Sequence, residues 1–188
     1  VTNGLNFKQK LNLLSQLCDF LIYLKSNKTI HRDLKANNLK VKILNKDEVS
    51  LKIIDFGIAK INTQTQSRAF NDYSTISFAP PEIYDNDIDN MFRISYKYDV
   101  WSFGLIVSYL MTGIFPWCKT SKDSLKTHSL KVERNLVQKN NFLIPDYLKE
   151  LNSDLYSIVS DCTKLESKDR ADPTNIKEIL LQIIKNDM

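Results

Sequence analysis

The sequence predicts a mainly α domain carrying one short β-hairpin, and three patterns support that prediction. Apolar residues recur at helical spacing between Leu5 and Ser26. An apolar run from Trp101 to Met111 reads as a helix buried on all sides. Between them, Leu39, Val41 and Ile43 alternate with polar residues, and so do Val49, Leu51 and Ile53. The polar turn Asn45-Lys46-Asp47-Glu48 joins these two runs, as expected for a hairpin.

The first helix rests on Leu13, Leu14, Leu17, Phe20, Leu21 and Leu24, and Asn27-Lys28 ends it. Ile30 leads into a polar run that begins at His31. The hairpin follows, and its two open ends carry Asn38 and Asp55, so one metal ion could reach both side chains. Residues 62–77 are rich in Thr, Ser, Gln and Asn without a sustained period, and predict a loop. Pro80-Pro81 disfavours helix immediately before Glu82. The buried helix covers Tyr98 to Met111 and stops at Gly113 and Pro116. Leu148 to Cys162 and Thr174 to Ile184 predict two further amphipathic helices. No repeat or linker divides the chain, so residues 1–188 predict one domain.

Composition narrows the function. Hydrophobic residues make up 43% of the 188 residues and charged residues 26%, as in a soluble globular domain. The 26 basic and 22 acidic residues are spread along the chain and leave a net charge of +4. A nucleic-acid binder would show a dense basic stripe, so no nucleic-acid partner is expected. A bilayer span needs about 20 apolar residues, more than the 101–111 run supplies, so no membrane role is expected. Cys18, Cys118 and Cys162 are an odd set without paired spacing, which predicts a reducing, intracellular location in cytoplasm or nucleus. Cys18 sits in the first helical pattern and predicts a buried small side chain.

The chemistry is concentrated in two runs. His31-Arg32-Asp33-Leu34-Lys35-Ala36-Asn37-Asn38 is followed, 17 residues after Asn38, by Asp55-Phe56-Gly57. In order, and joined by a hairpin, they resemble the catalytic and metal-binding loops of eukaryotic protein kinases of the Ser/Thr type. The resemblance extends through Ala79-Pro80-Pro81-Glu82, Asp99-Val100-Trp101-Ser102-Phe103-Gly104, Thr112-Gly113-Ile114-Phe115-Pro116-Trp117 and Arg170. It covers nearly the whole chain, but only the helical, C-terminal lobe of the kinase fold.

The resemblance implies a reaction and its parts. ATP would donate its γ-phosphoryl group to a protein hydroxyl, with Mg²⁺ as the metal. Asp33 would orient the attacking hydroxyl, and Lys35 would neutralise the moving phosphoryl group. Asn38 and Asp55 would hold the metal, since Mg²⁺ prefers oxygen ligands and accepts few protein groups. Phe56 and Gly57 complete the metal loop. Asp99 would hydrogen-bond the backbone of the catalytic run and hold it rigid. Arg170 would pair with Glu82. Lys35 together with Thr75 points to Ser/Thr acceptors.

The resemblance also implies regulation and two gaps. Arg32 before the catalytic Asp implies control by negative charge on the activation loop. Asp72 is expected to substitute in part for a phosphate there, with Ser67 or Tyr73 tuning activity. Lys40 occupies the place of the usual apolar floor under adenine, and its stem could serve instead. The chain has four glycines and no Gly-rich phosphate loop. Starting at Val1, it lacks the family's nucleotide-gripping lobe, so weak nucleotide affinity is expected of this stretch alone. Two other readings compete. One is a catalytically inactive pseudokinase or interaction module. The other is a small-molecule kinase of the aminoglycoside type, which the Pro80-Pro81-Glu82 loop and the helix start at Asp99 argue against.

Overall fold

A computed structural model describes residues 4–55, 60–61, 77–84, 95–118, 142 and 144–187. Phe56, Gly57, Ser67, Asp72, Tyr73 and Thr75 lie outside the described residues.

Helix α1 spans Phe7–Ser26. It starts two residues later than the periodicity predicts because Asn6 caps it. The Asn6 side chain accepts from the Gln9 N–H at 2.9 Å, and the Gln9 side chain accepts from the Asn6 N–H at 3.1 Å. This reciprocal box satisfies two of the backbone donors left over at a helix start. The inner face of α1 buries Leu13, Leu14, Leu17, Leu21 and Cys18, as the spacing predicts.

Strand β1 is only Thr29–Ile30 and pairs antiparallel with β4, Lys60–Ile61. Two residues are too few to show alternation, so this pair escapes a sequence reading. The hairpin is present as predicted: β2, Leu39–Ile43, pairs with β3, Val49–Ile53, with Leu39 opposite Ile53 and Ile43 opposite Val49.

Polar side chains of α1 close the free edge of β3 and the turn. Asn12 Oδ1 accepts from the Val49 N–H, and Gln16 bridges the Val49 carbonyl and the Leu51 N–H. Gln9 and Asn6 donate to the carbonyls of Asn45 and Lys46. An unpaired strand edge is a template for unwanted pairing, and these amides occupy it.

Helix α2, Lys97–Thr112, is the centre of the domain. Every residue from Tyr98 to Ser108 is buried, which is why its apolar run shows no polar face. Gly113, at φ 71°, ends it in the left-handed conformation that favours glycine. The predicted 148–162 helix is instead two helices, α3, Asp146–Leu151, and α4, Ser153–Cys162. Asn152 breaks them: its backbone is extended, and its side chain accepts from the Leu155 N–H at 2.9 Å. Apolar spacing continues across such a break, so periodicity alone does not reveal it.

Helix α5, Pro173–Asn186, begins with Asp172 as cap and Pro173 in its first turn. It packs along α1, where Lys177 reaches Asp19 at 2.7 Å and Lys25 reaches Asp172 at 2.5 Å. Burial works to raise the Asp172 pKa, but hydrogen bonds from Lys25, the Thr174 N–H and Tyr96 hold it down at about 2. A 3-10 turn over Pro81–Tyr84 starts at Pro81 itself, a position where a missing N–H costs nothing. Cys18 and Cys162 are free thiols. Burial pushes the Cys18 thiol up to about 12, so it stays protonated and inert. Among the described residues, no helix is long and apolar enough to cross a membrane.

Candidate active site

The run from His31 to Asn38 lies between β1 and β2 and has little regular structure of its own. Its shape is imposed from α2. Asp99, in the first turn of that helix, accepts the His31 N–H at 2.7 Å and the Arg32 N–H at 2.9 Å, one on each carboxylate oxygen. Arg32 has φ 66°, a conformation that a side chain with a Cβ adopts at a cost. The two backbone N–H groups that donate to Asp99 hold the backbone in it. Asp99 is 1% exposed, and burial pushes its pKa up to about 7, against the pull of the two N–H donors and of Arg32. His31 is fully buried, and burial lowers its pKa.

Asp33, Lys35 and Asn38 converge. Asn38 Nδ2 donates to the Asp33 carbonyl at 2.8 Å and to Asp33 Oδ2 at 3.0 Å. Lys35 Nζ lies 3.2 Å from the same Oδ2, with both side chains about nine-tenths buried. The carboxylate is therefore fixed from two directions by a neutral and a charged donor. A 3-10 turn over Ala36–Asn38 makes this possible by folding the chain back over five residues.

Asp55 stands at the other open end of the hairpin. It is exposed and has φ 64°, which Asp tolerates better than most residues. The Ile54 N–H donates to the Asn38 carbonyl at 3.0 Å, so the two ends are tied together just beside both side chains. The Asn38 amide turns its nitrogen toward Asp33, which leaves its oxygen as the atom suited to a cation. An amide oxygen and a free carboxylate are a hard oxygen donor set that fits Mg²⁺ completed by phosphate oxygens.

A second cluster braces the segment around Glu82. Arg170 Nη1 and Nη2 donate to Glu82 Oε1 and Oε2 at 2.6 and 2.7 Å. Arg170 also donates to the carbonyls of Lys164, Leu165 and Lys97, and its guanidinium sits 4.9 Å from the Trp101 ring centre. Lys97 Nζ in turn donates to the carbonyls of Arg170 and Ala171.

Three bracing contacts were missed by sequence reasoning about sites. Ser102 Oγ donates to the Phe78 carbonyl, and Trp117 Nε1 donates to the Ser77 carbonyl. Both lie inside motifs recognised in the sequence, so the motifs were the available signal. Lys97 carried none. Among the described residues, no group of three His, Cys, Asp or Glu side chains could hold a metal.

The comparisons with known proteins agree with this geometry. The family model described as protein kinase domain matches residues 4–181. The chain is 29% identical over 169 residues to the probable serine/threonine-protein kinase nek3 of Dictyostelium discoideum, covering 90% of this chain and 14% of that protein. It is 29% identical over 168 residues to mitogen-activated protein kinase kinase 2 of Arabidopsis thaliana, covering 88% and 43%. It is 35% identical over 104 residues to serine/threonine-protein kinase SBK1 of Danio rerio, covering 55% and 26%. The chain thus spans less than half the length of each of these relatives.

Proposed function

Because this chain belongs to the protein kinase domain family, we propose that it is the helical lobe of a Ser/Thr protein kinase that transfers the ATP γ-phosphoryl group to a protein hydroxyl. The carrying observation is the Asp33 carboxylate, fixed by Asn38 and Lys35 on a backbone pinned by Asp99. A carboxylate so held is suited to orient an incoming hydroxyl and to receive its proton at an Asp33 oxygen. The Lys35 ammonium, within reach of the same oxygen, supplies positive charge beside the path of transfer. Asn38 and Asp55 would hold Mg²⁺, which neutralises phosphate charge when nucleotide is bound. This reaction needs positioning more than covalent chemistry, and the site contributes positioning through Asp99 and the Ile54–Asn38 tie.

The Glu82–Arg170 pair holds the segment after the activation loop, where a protein acceptor would approach. The relatives named as serine/threonine kinases support Ser or Thr as the accepting residue. The expected partners are a protein substrate and ATP, in cytoplasm or nucleus.

The test is phosphate transfer from labelled ATP to a protein acceptor with Mg²⁺, in the protein that contains this chain. Asp33→Asn should collapse turnover and leave nucleotide binding nearly unchanged. Asp55→Asn should weaken the Mg²⁺-dependent part of nucleotide binding. Wild-type rates in both variants would refute the role assignment. Nucleotide binding without turnover in the wild type would favour the pseudokinase reading.

A further inference from the structure

The hairpin that carries Asn38 and Asp55 at its open ends is also held from the side. Gln9, Asn12 and Gln16 recur at helical spacing, so α1 meets β3 and its turn with one stripe of amides. Two of these amides form a network. Gln16 Nε2 donates to the Val49 carbonyl at 2.6 Å and to Asn12 Oδ1 at 2.9 Å, while Gln16 Oε1 accepts the Leu51 N–H at 3.0 Å. Asn12 Oδ1 also accepts the Val49 N–H at 3.1 Å. Each amide thereby fixes the orientation of the other, and both grip the β3 backbone.

Covering a strand edge accounts for part of this network, and its place in the hairpin accounts for more. Leu51 stands four residues before Asp55, about 13 Å at the rise of a strand. Asn6 and Gln9 hold the turn, at the far end from Asp55, so Gln16 is the α1 anchor nearest the metal donors. The inner face of the hairpin, Leu39, Val41, Leu51 and Ile53, packs on the core. Apolar contact is non-directional, so it holds that face down without fixing β3 along its own axis. The bonds to β2 and the Ile54–Asn38 tie join the two arms of the hairpin to each other. Asp33, by contrast, sits on a backbone pinned from α2 through Asp99. The two halves of the site thus hang from different helices and meet where Asn38 donates to Asp33.

We infer that Asn12 and Gln16 are positioning residues for the metal-holding half of the site, setting where the hairpin brings Asp55. The inference rests on the proposed role of Asn38 and Asp55 and adds what places them. Mg²⁺ demands near-ideal octahedral geometry at about 2.0–2.1 Å, so a shift of β3 by about 0.5 Å is enough to weaken a ligand contact. Asp33 keeps its own anchor, so loss of the amide network falls first on metal affinity and not on the carboxylate that orients the acceptor hydroxyl.

The test titrates Mg²⁺ against a ribose-labelled fluorescent ATP analogue bound to the protein that contains this chain. Gln16→Leu keeps the bulk of the side chain and removes its three hydrogen bonds. The Mg²⁺ concentration at half-maximal nucleotide binding should rise about fivefold, less than loss of a group bonded directly to a metal ligand brings. Asn12→Leu should shift it in the same direction by about threefold, and it decides the matter where Gln16→Leu does not fold. Binding of the analogue in EDTA should stay unchanged in both. Gln9→Leu breaks the α1 cap and the bond to the Asn45 carbonyl at the turn. It should lower the urea midpoint as the other variants do and leave the Mg²⁺ midpoint where it is. An unmoved Mg²⁺ midpoint in Gln16→Leu and Asn12→Leu, with a lowered urea midpoint, would overturn the inference and reduce the network to a cover for the strand edge. An equal shift in Gln9→Leu would overturn it as general loosening of the hairpin. A wild type whose nucleotide binding ignores Mg²⁺ would instead refute the metal site itself, so the two readings fail by different results.

Discussion

Replacing Arg170 by Met is the sharpest perturbation the structure offers. The Arg170 side chain is fully buried while that of Glu82 is 20% exposed. Met keeps an unbranched stem beside Trp101 but removes every donor. Glu82 then loses two short charge-assisted hydrogen bonds, and the carbonyls of Lys164, Leu165 and Lys97 lose theirs. Removing one partner of a buried pair costs about 3–5 kcal/mol, and the partial exposure of Glu82 argues for about 3. Unsatisfied carbonyls add about 1 kcal/mol each where water does not reach them, for a total of about 4–6 kcal/mol. That is a large fraction of the roughly 5–15 kcal/mol that stabilises an ordinary domain. Glu82→Gln leaves the fully buried Arg170 without its counter-charge and should cost about 3 kcal/mol, less than Arg170→Met because the guanidinium keeps three carbonyl acceptors and its stacking on Trp101. Urea unfolding followed by far-UV circular dichroism and Trp fluorescence measures both. An Arg170→Met cost below about 1 kcal/mol, or a Glu82→Gln cost equal to it, would refute the reasoning.

Three further outcomes are expected. The native state keeps the Asp99 proton up to about pH 7, whereas the unfolded chain releases it near 3.8, so this group's contribution to stability falls as pH rises between those values. His31 works in the opposite sense, since its lowered pKa makes stability rise as pH rises towards 6.5. Urea midpoints of wild type and Asp99→Asn across pH 4–8 isolate the Asp99 part, and parallel profiles would contradict it. Gly104→Ala should lose about 1–3 kcal/mol despite Ala's better helix propensity. Its added Cβ would stand 2.6 Å from Cys162 Cβ and 3.1 Å from Thr163 Cγ2, forcing α2 and α4 apart; an unchanged melting curve would contradict this. Asn152→Ala should cost about 1 kcal/mol through loss of the α4 cap, read as a lower urea midpoint with unchanged slope.

The sequence by itself determined the class of chemistry and most of the elements that carry it. Strong patterns were legible: the α1 stripe, the all-apolar α2, the alternating hairpin, and the residue order from His31 through Asp55. These are local, because a helix stripe and a strand alternation are properties of neighbouring residues. The tertiary structure decided what spacing does not encode. It broke the 148–162 run at Asn152, where a side chain competes with the helix for backbone donors. It joined β1 to β4 across about 30 residues of chain, a pairing too short to leave a pattern. It also set the site's geometry. Asp99, 67 residues after Arg32, holds that backbone at φ 66°, and Asn38 and Lys35 meet on one oxygen of Asp33. It set Lys40 against Lys52 as well, a juxtaposition fixed by hairpin register. Distant hydrogen bonds and cross-strand neighbours are products of packing, which is why the residues were readable in the chain and their arrangement was not.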